Sequence, residues 1–211
     1  MGRVPHRVFL LSPASASGKR CQLLTARGAD FELARRVRGD GAPIGEVMSF
    51  LSSLYFRGKL TYAQRFAKPP DGCPGALVIT ADRGLVAPET TIRLRDVRAF
   101  ARVPIDTAER RYAHPLLAST RALAERMPRD AEVVLLGSIA TPKYVDLLRE
   151  VFGSALRFPP TFVGRGDMSR GGLLLRAARD GVELEYAAVD GAVRRGRRAP
   201  RLHSLRADSS L

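Results

Sequence analysis

Glu132-Val-Val-Leu-Leu-Gly-Ser-Ile-Ala-Thr-Pro-Lys-Tyr-Val-Asp-Leu-Leu-Arg-Glu-Val-Phe152 decides the fold. Val133 to Leu136 is a short apolar run with no polar face, as in a strand buried on both sides. Gly137-Ser138 ends it. Pro142 stands where a first helical turn accepts proline, and Gly153 follows the last apolar residue. The unit is strand, polar loop, helix.

The same grammar recurs on either side. His6-Arg-Val-Phe-Leu-Leu-Ser12 and Ala76-Leu-Val-Ile-Thr80 are further apolar strands that run into loops. Helices are expected from Arg20 to Thr25, Phe31 to Val37, Ile44 to Phe50 and Leu54 to Phe66. Others are expected from Leu116 to Met127, opened by Pro115, and from Leu173 to Ala178, with Asp167 as N-cap. Glu89 to Arg111 reads as a polar connection with one helical turn near Leu94 to Phe100. Val182 to Val189 alternates as a half-exposed strand does. Alternating strands and helices define an α/β class: a single domain, residues 1–190, with a mainly parallel central sheet flanked by helices. Residues 191–211 read as a basic, disordered tail. Ligands of open α/β sheets bind beyond the carboxyl ends of the strands. Ser12, the loop after Thr80, and Ser138 are therefore the places to look for chemistry.

The chain has 211 residues, 45% of them hydrophobic, enough for a real core. Its net charge is +14, and only four of its 35 basic residues are lysines. Genome composition explains arginine over lysine but not the surplus, which implies an anionic partner: nucleic acid, nucleotide or anionic membrane. No apolar run reaches the length of a membrane span. Val8 to Leu11 is too short for a signal sequence, and His6 stands where a myristoylation signal needs Ser or Thr. Cys21 and Cys73 form no CxxC and read as reduced structural thiols. The expected compartment is the cytoplasm.

Five clusters carry possible chemistry. Pro13-Ala-Ser-Ala-Ser-Gly-Lys19 lacks the first glycine of a Walker loop, and Arg20 replaces its Ser or Thr. An NTPase is excluded; backbone N–H groups with Lys19 holding an anion compete with an ordinary small-residue loop. Asp82 and Arg83 follow a buried strand. They form either a tight turn with an ion pair and Gly84 at positive φ, or an acid/base beside a site-facing arginine. Lys143 and Tyr144 open a helix, where a cation opposes the macrodipole and favours an anion nearby. Arg165, Asp167, Ser169 and Arg170 sit among four glycines before a helix, suiting close approach to a phosphate. Gly171 and Gly172 cost a helix about 1 kcal/mol each relative to alanine, and close packing on the sheet would explain them. Finally, Leu54-Tyr-Phe-Arg-Gly-Lys-Leu-Thr-Tyr62 interleaves aromatics with Arg57 and Lys59. Helical spacing favours an aromatic core face, with base stacking the alternative. His6, His114 and His203 form no motif; neither a metal nor a cofactor is expected.

Taken in order, these loops resemble a family. Ser12 with Lys19 comes first, then Leu54-Tyr55 and Tyr62-Ala63. Ile79-Thr-Ala-Asp-Arg-Gly-Leu-Val-Ala-Pro-Glu-Thr-Thr-Ile92, Lys143-Tyr144 and the glycine-rich helix start follow. Over about residues 7–180 this is similar to the YaaA-like peroxide-stress proteins and their small uncharacterised bacterial and phage relatives. Gly84, Leu85, Pro88 and Ile92 match that pattern in place. Asp82 and Arg83 depart from its lysine and its aromatic or histidine, and Ser12-Pro13 departs from the Cys-Ser of many relatives. The resemblance implies one α/β domain and, for YaaA itself, DNA binding linked to oxidative-damage protection.

The leading expectation is a cytoplasmic nucleic-acid-binding protein of stress-response type. Its anion-binding residues are Ser12, Lys19, Arg83, Ser138, Lys143, Tyr144, Arg165 and Arg170, with Arg194, Arg195, Arg197 and Arg198 adding phosphate affinity. The alternatives are an enzyme on a nucleotide or nucleobase in the same pocket, with Asp82 or Asp167 as acid/base, and a protein-interaction module. A pocket enclosing Asp82, Lys143 and Asp167 favours the enzyme; an open basic groove continuous with the tail favours nucleic acid.

Overall fold

The computed structural model describes residues 5–200. The expectations for Met1-Gly2 and for 201–211 lie outside the described residues. The central strands are β1 (Arg7–Leu11), β3 (Ala76–Ile79) and β6 (Glu132–Leu136). Strand β1 pairs parallel with both neighbours, placing Phe9 opposite Ala76 and Leu10 opposite Leu135. The short β7 (Leu156–Phe158) extends the parallel sheet beside β6. Two-residue strands close its edges in antiparallel sense: β4 (Leu85–Val86) beside β3, and β8 (Ala187–Ala188) beside β7. The sheet order is β4-β3-β1-β6-β7-β8, and β2 (Ala42–Pro43) pairs separately with β5 (Thr91–Ile92).

The apolar runs are buried on both faces, which is why they lack alternation. Phe9, Leu11, Val78, Val134 and Leu136 face one layer, formed by α1 (Lys19–Thr25), α2 (Glu32–Arg38), α3 (Ile44–Ser52), α4 (Leu54–Phe66), α5 (Leu94–Arg102) and α8 (Asp167–Asp180). Val8, Leu10, Ile79, Val133 and Leu135 face the other, formed by α6 (Arg110–Arg126) and α7 (Pro142–Phe152). The architecture is a single three-layer α/β domain, as its strand–helix alternation implies.

Three local readings change. Only Ala187–Ala188 of the expected 182–189 strand is a strand. Its first half bonds through side chains instead: the Leu184 N–H donates to Tyr62 Oη at 2.8 Å, and Glu183 pairs with Arg7 at the amino end of the sheet. Helix α6 begins at Arg110, not at Pro115, because the Glu109 carboxylate accepts the Arg111 N–H and caps the turn before the proline. Asp167 is the first residue of α8 rather than its N-cap, which is Gly166.

Residues 191–200 form no helix or strand, but they pack. Ala199 N–H donates to the Gly164 carbonyl at 3.1 Å, and Arg194 pairs with Asp146 at 3.1 Å.

Helices α4 and α8 cross at Gly58 and Gly171. A Cβ at Gly171 would lie 2.7 Å from the Leu54 carbonyl oxygen, and one at Gly58 would lie 2.7 Å from the Gly171 oxygen. The glycine therefore serves a helix–helix contact rather than the helix–sheet contact expected. Alanine at 171 gains about 1 kcal/mol of helix propensity. Forcing two backbones apart costs more, about 1–3 kcal/mol for overpacking and occasionally more. Gly171→Ala is expected to lower stability on balance, and Gly171→Val further. Gly28→Ala, where a Cβ meets open space, should be neutral or slightly stabilising. Urea denaturation of the three variants checks the order.

A lysine–serine contact in a strand-end cleft

At the carboxyl ends of β1, β3 and β6 lies a cleft of about 720 Å³. That is within the range of small-molecule sites, ~300–1,000 Å³. Its apolar lining comes from Met48 and Leu51 of α3 and from Phe100, Val103, Pro104 and Ile105 at and after the end of α5. Its polar lining comes from Ser12 after β1, Ser138 after β6, Lys143 and Tyr144 of α7, and Asp167 of α8.

Ser12 is 5% exposed and sits in a dense set of bonds. Its Oγ donates to the Leu136 carbonyl at 3.2 Å and accepts from Lys59 Nζ at 2.9 Å, and the Tyr144 hydroxyl lies nearby. Gly137 makes this possible. A Cβ there would lie 2.9 Å from Ser12 Cβ and 3.1 Å from Tyr144 Oη. The strand–Gly–Ser signal thus marks a close approach between neighbouring strand ends.

Lys59 arrives from the middle of α4 and is 1% exposed. Besides Ser12 Oγ, its ammonium meets the Ser12 carbonyl oxygen at 2.5 Å and the ring faces of Tyr55 and Phe56, at 4.3 and 4.8 Å from their centroids. Burial drives its pKa down to about 7; Asp167 opposes the shift and Arg170 adds to it. Arg170 is itself buried. It donates to the Phe162 carbonyl at 3.1 Å and pairs at 3.3 Å with Asp167, whose carboxylate is largely exposed. Tyr55 is 5% exposed, and its buried hydroxyl lies near the Arg170 guanidinium without a partner in hydrogen-bond geometry among the described residues. Helices α7 and α8 both point their amino ends at the cleft, and neither has a side-chain cap.

Of the residues expected at the site, Ser12, Ser138, Lys143, Tyr144 and Asp167 line the cleft, and Arg170 stands behind Asp167. Asp82 and Arg83 are placed otherwise. Arg83 pairs with Asp82 at 2.8 Å and with Asp96 at 3.1 Å, and it lies over the Phe100 ring. These bonds tie the β3–β4 turn to α5. Gly84 is at φ +69°, as the tight-turn reading requires, and its missing Cβ makes room for the Pro115 carbonyl. Lys19 is exposed at the start of α1, outside the cleft lining. Arg165 donates to the Thr161 and Pro200 carbonyls and to Ser169. Arg195, Arg197 and Arg198 are exposed.

Sequence reasoning missed Lys59 and Tyr55 as site residues. The signal was present: Tyr55, Phe56, Lys59, Tyr62, Ala63 and Phe66 form one helical face, and a lysine inside an otherwise apolar stripe is out of place. Among the described residues, no cluster of three or more His, Cys, Asp or Glu is placed to hold a metal, and no helix is long and apolar enough to cross a membrane. Cys21 and Cys73 are both free thiols. Compared with family models, with curated proteins and with solved structures, the chain matches none.

The lysine's depressed pKa has a measurable consequence. Between about pH 7 and the ordinary value of 10.5, the unfolded chain binds a proton at Lys59 that the folded chain does not. Its contribution to stability is therefore least favourable below pH 7 and improves as pH rises toward 10.5. Lys59→Met, which removes the titration while keeping the bulk, is expected to be more stable than the parent at pH 6. Its advantage should shrink by pH 9.5 in paired urea titrations.

Proposed function

We propose that the cleft binds a small anionic ligand of nucleotide size. The observation that carries this reading is the Tyr55 hydroxyl, buried without a partner beside Arg170 in a cleft that two uncapped helix amino ends approach. A buried polar group left unpaired costs about 1–3 kcal/mol, and a ligand oxygen placed there supplies the missing bond. Arg170, Lys143 and the N–H groups of the first turns of α7 and α8 offer positive potential for a phosphate or carboxylate. Leu51, Phe100 and Ile105 offer an apolar wall for a flat or aliphatic remainder. The reading sets the protein in the cytoplasm, where Cys21 and Cys73 stay reduced.

A second reading has the net charge of +14 behind it: a nucleic-acid strand held on the arginine-rich surface. The YaaA-like resemblance, with the DNA protection it implies, belongs to this reading. The two differ in what they require. A small ligand needs the cleft, whereas a polymer held by charge needs only exposed arginines and weakens steeply with salt.

Calorimetry of the full chain with AMP, GMP, CMP and inorganic phosphate is expected to find at least one binder. Tyr55→Phe should weaken it about 2- to 10-fold, the loss of one hydrogen bond, while leaving the ligand-free melting temperature unchanged or raised. Absence of binding to all four probes, or full affinity in Tyr55→Phe, would overturn the reading. Labelled single-stranded and duplex DNA at two salt concentrations tests the polymer. Retention that ignores salt and depends on Tyr55 would count against charge-driven binding.

A further inference from the structure

Ser12 carries more bonding than a strand-end residue needs. Its hydroxyl lies on the cleft wall, 2.9 Å from the amine of a lysine that is sealed from solvent and has no carboxylate in ion-pair contact among the described residues. The lysine's headgroup lies over the Tyr55 and Phe56 rings, and its hydrogen bonds go to Ser12. A purely structural tie between α4 and β1 would be served by an uncharged donor, without the cost of burying an ammonium. A lysine held next to a serine and kept away from acids is instead a proton acceptor for that serine, the two-residue form of nucleophile activation.

We propose that Ser12 is a catalytic nucleophile and Lys59 its general base, acting on an ester or amide of the anionic ligand class that the cleft receives. In the first half, the Ser12 hydroxyl turns its proton from the Leu136 carbonyl to neutral Lys59 Nζ, which takes it as Ser12 Oγ bonds to the acyl carbon. The bond from that carbon to the leaving oxygen or nitrogen then breaks, and the leaving group takes the proton from Lys59. In the second half, a water molecule attacks the acyl-serine, Lys59 accepts its proton, and the carboxylic acid departs as Ser12 Oγ is reprotonated. No redox partner is required. The Tyr144 hydroxyl, close to Ser12 beside Gly137, is placed to support the oxygen as charge builds on it. Arg170 and Lys143 hold the anionic part of the substrate away from the reacting carbon.

The groups facing the lysine set its behaviour with pH. Asp167 and Arg170 from α8 act on it in opposite directions, the Tyr55 and Phe56 rings from its own helix exclude water, and Ser12 from β1 with Tyr144 from α7 completes the shell. The neutral, competent form predominates above about pH 7.

The test uses the full chain with two probes: a fluorophosphonate, located by peptide mass mapping, and p-nitrophenyl acetate, followed by release of p-nitrophenolate. A single adduct on Ser12 is expected, forming about tenfold faster at pH 8 than at pH 6, as the neutral fraction of the base dictates. Ser12→Ala should abolish it. Lys59→Met should slow it by at least about 100-fold, the usual contribution of a general base. An adduct on another residue, no adduct, or an unchanged rate in folded Lys59→Met would overturn the proposal. Should that variant fail to fold, the adduct position and pH profile of the parent chain decide alone. The inference rests on the cleft being a ligand site, but the two fail separately. Nucleotide binding without Ser12 labelling sinks the nucleophile only. Labelling without binding of any nucleotide or phosphate sinks the choice of ligand only.

Discussion

The crossing of α4 over α8 at Gly58 and Gly171 is the constraint on which the site depends. Backbones approach that closely only where neither helix carries a Cβ. The residues beside the contact are the ones that matter: Lys59 follows Gly58, and Arg170 precedes Gly171. Pressing the glycines together brings one buried cation from each helix toward the end of β1. Gly137 performs the same service between β1 and β6, drawing Tyr144 onto Ser12. Three absent side chains thus assemble the polar centre of a domain whose core is otherwise aliphatic and aromatic.

That centre is under-compensated. Lys59 and Arg170 repel one another through a medium that screens poorly, and among the described residues Asp167, mostly in solvent, is the acid that acts on both. At the other end of the sheet the chemistry is different. Arg7 is as buried as Arg170 but is held by both Glu132 and Glu183, with Arg157 closing the set on Glu132. The same fold therefore contains Arg7, with its full complement of acids, and Lys59, with none in ion-pair contact among the described residues. Stability alone selects the first arrangement, since breaking a buried pair is costly. The second keeps positive potential and a titrating amine beside the cleft.

The sequence was most readable where one element carries its whole signal. The three long strands announced themselves by unbroken burial, and α7 by Pro142 and Gly153. Strands of two or three residues, such as β4, β5 and β7, were not readable, because so few positions show no period and their pairing is fixed by neighbours. The position of Ser12, Ser138, Lys143 and Tyr144 at the cleft followed from the rule that parallel strands present ligands at their carboxyl ends. Tyr55 and Lys59 did not, because they reach the site from the middle of a helix whose aromatic face reads as core. Arg83 shows the converse. It stands after a strand as a site residue should, yet Asp82 and Asp96 turn it to structural use, a choice made by an acid thirteen residues further along the chain.

The net charge of +14 is compatible with both functional readings, and geometry separates them. A strongly basic surface raises the concentration of any anion around the protein and speeds its capture. It serves a small phosphate or carboxylate as well as a polymer, so the arginine surplus alone is not a signature of nucleic acid. Several of those arginines are also occupied: Arg83, Arg149, Arg165 and Arg194 are bound to acids or carbonyls of the chain. A closely built site differs from a charged surface in having atoms that wait for a particular contact. Here the waiting atom is the hydroxyl of Tyr55, which lines the cleft, with the Lys59 amine bonded to Ser12 behind the cleft wall. On the proposed small-ligand reading, the basic surface is the means of attraction and the strand-end cleft the place of recognition.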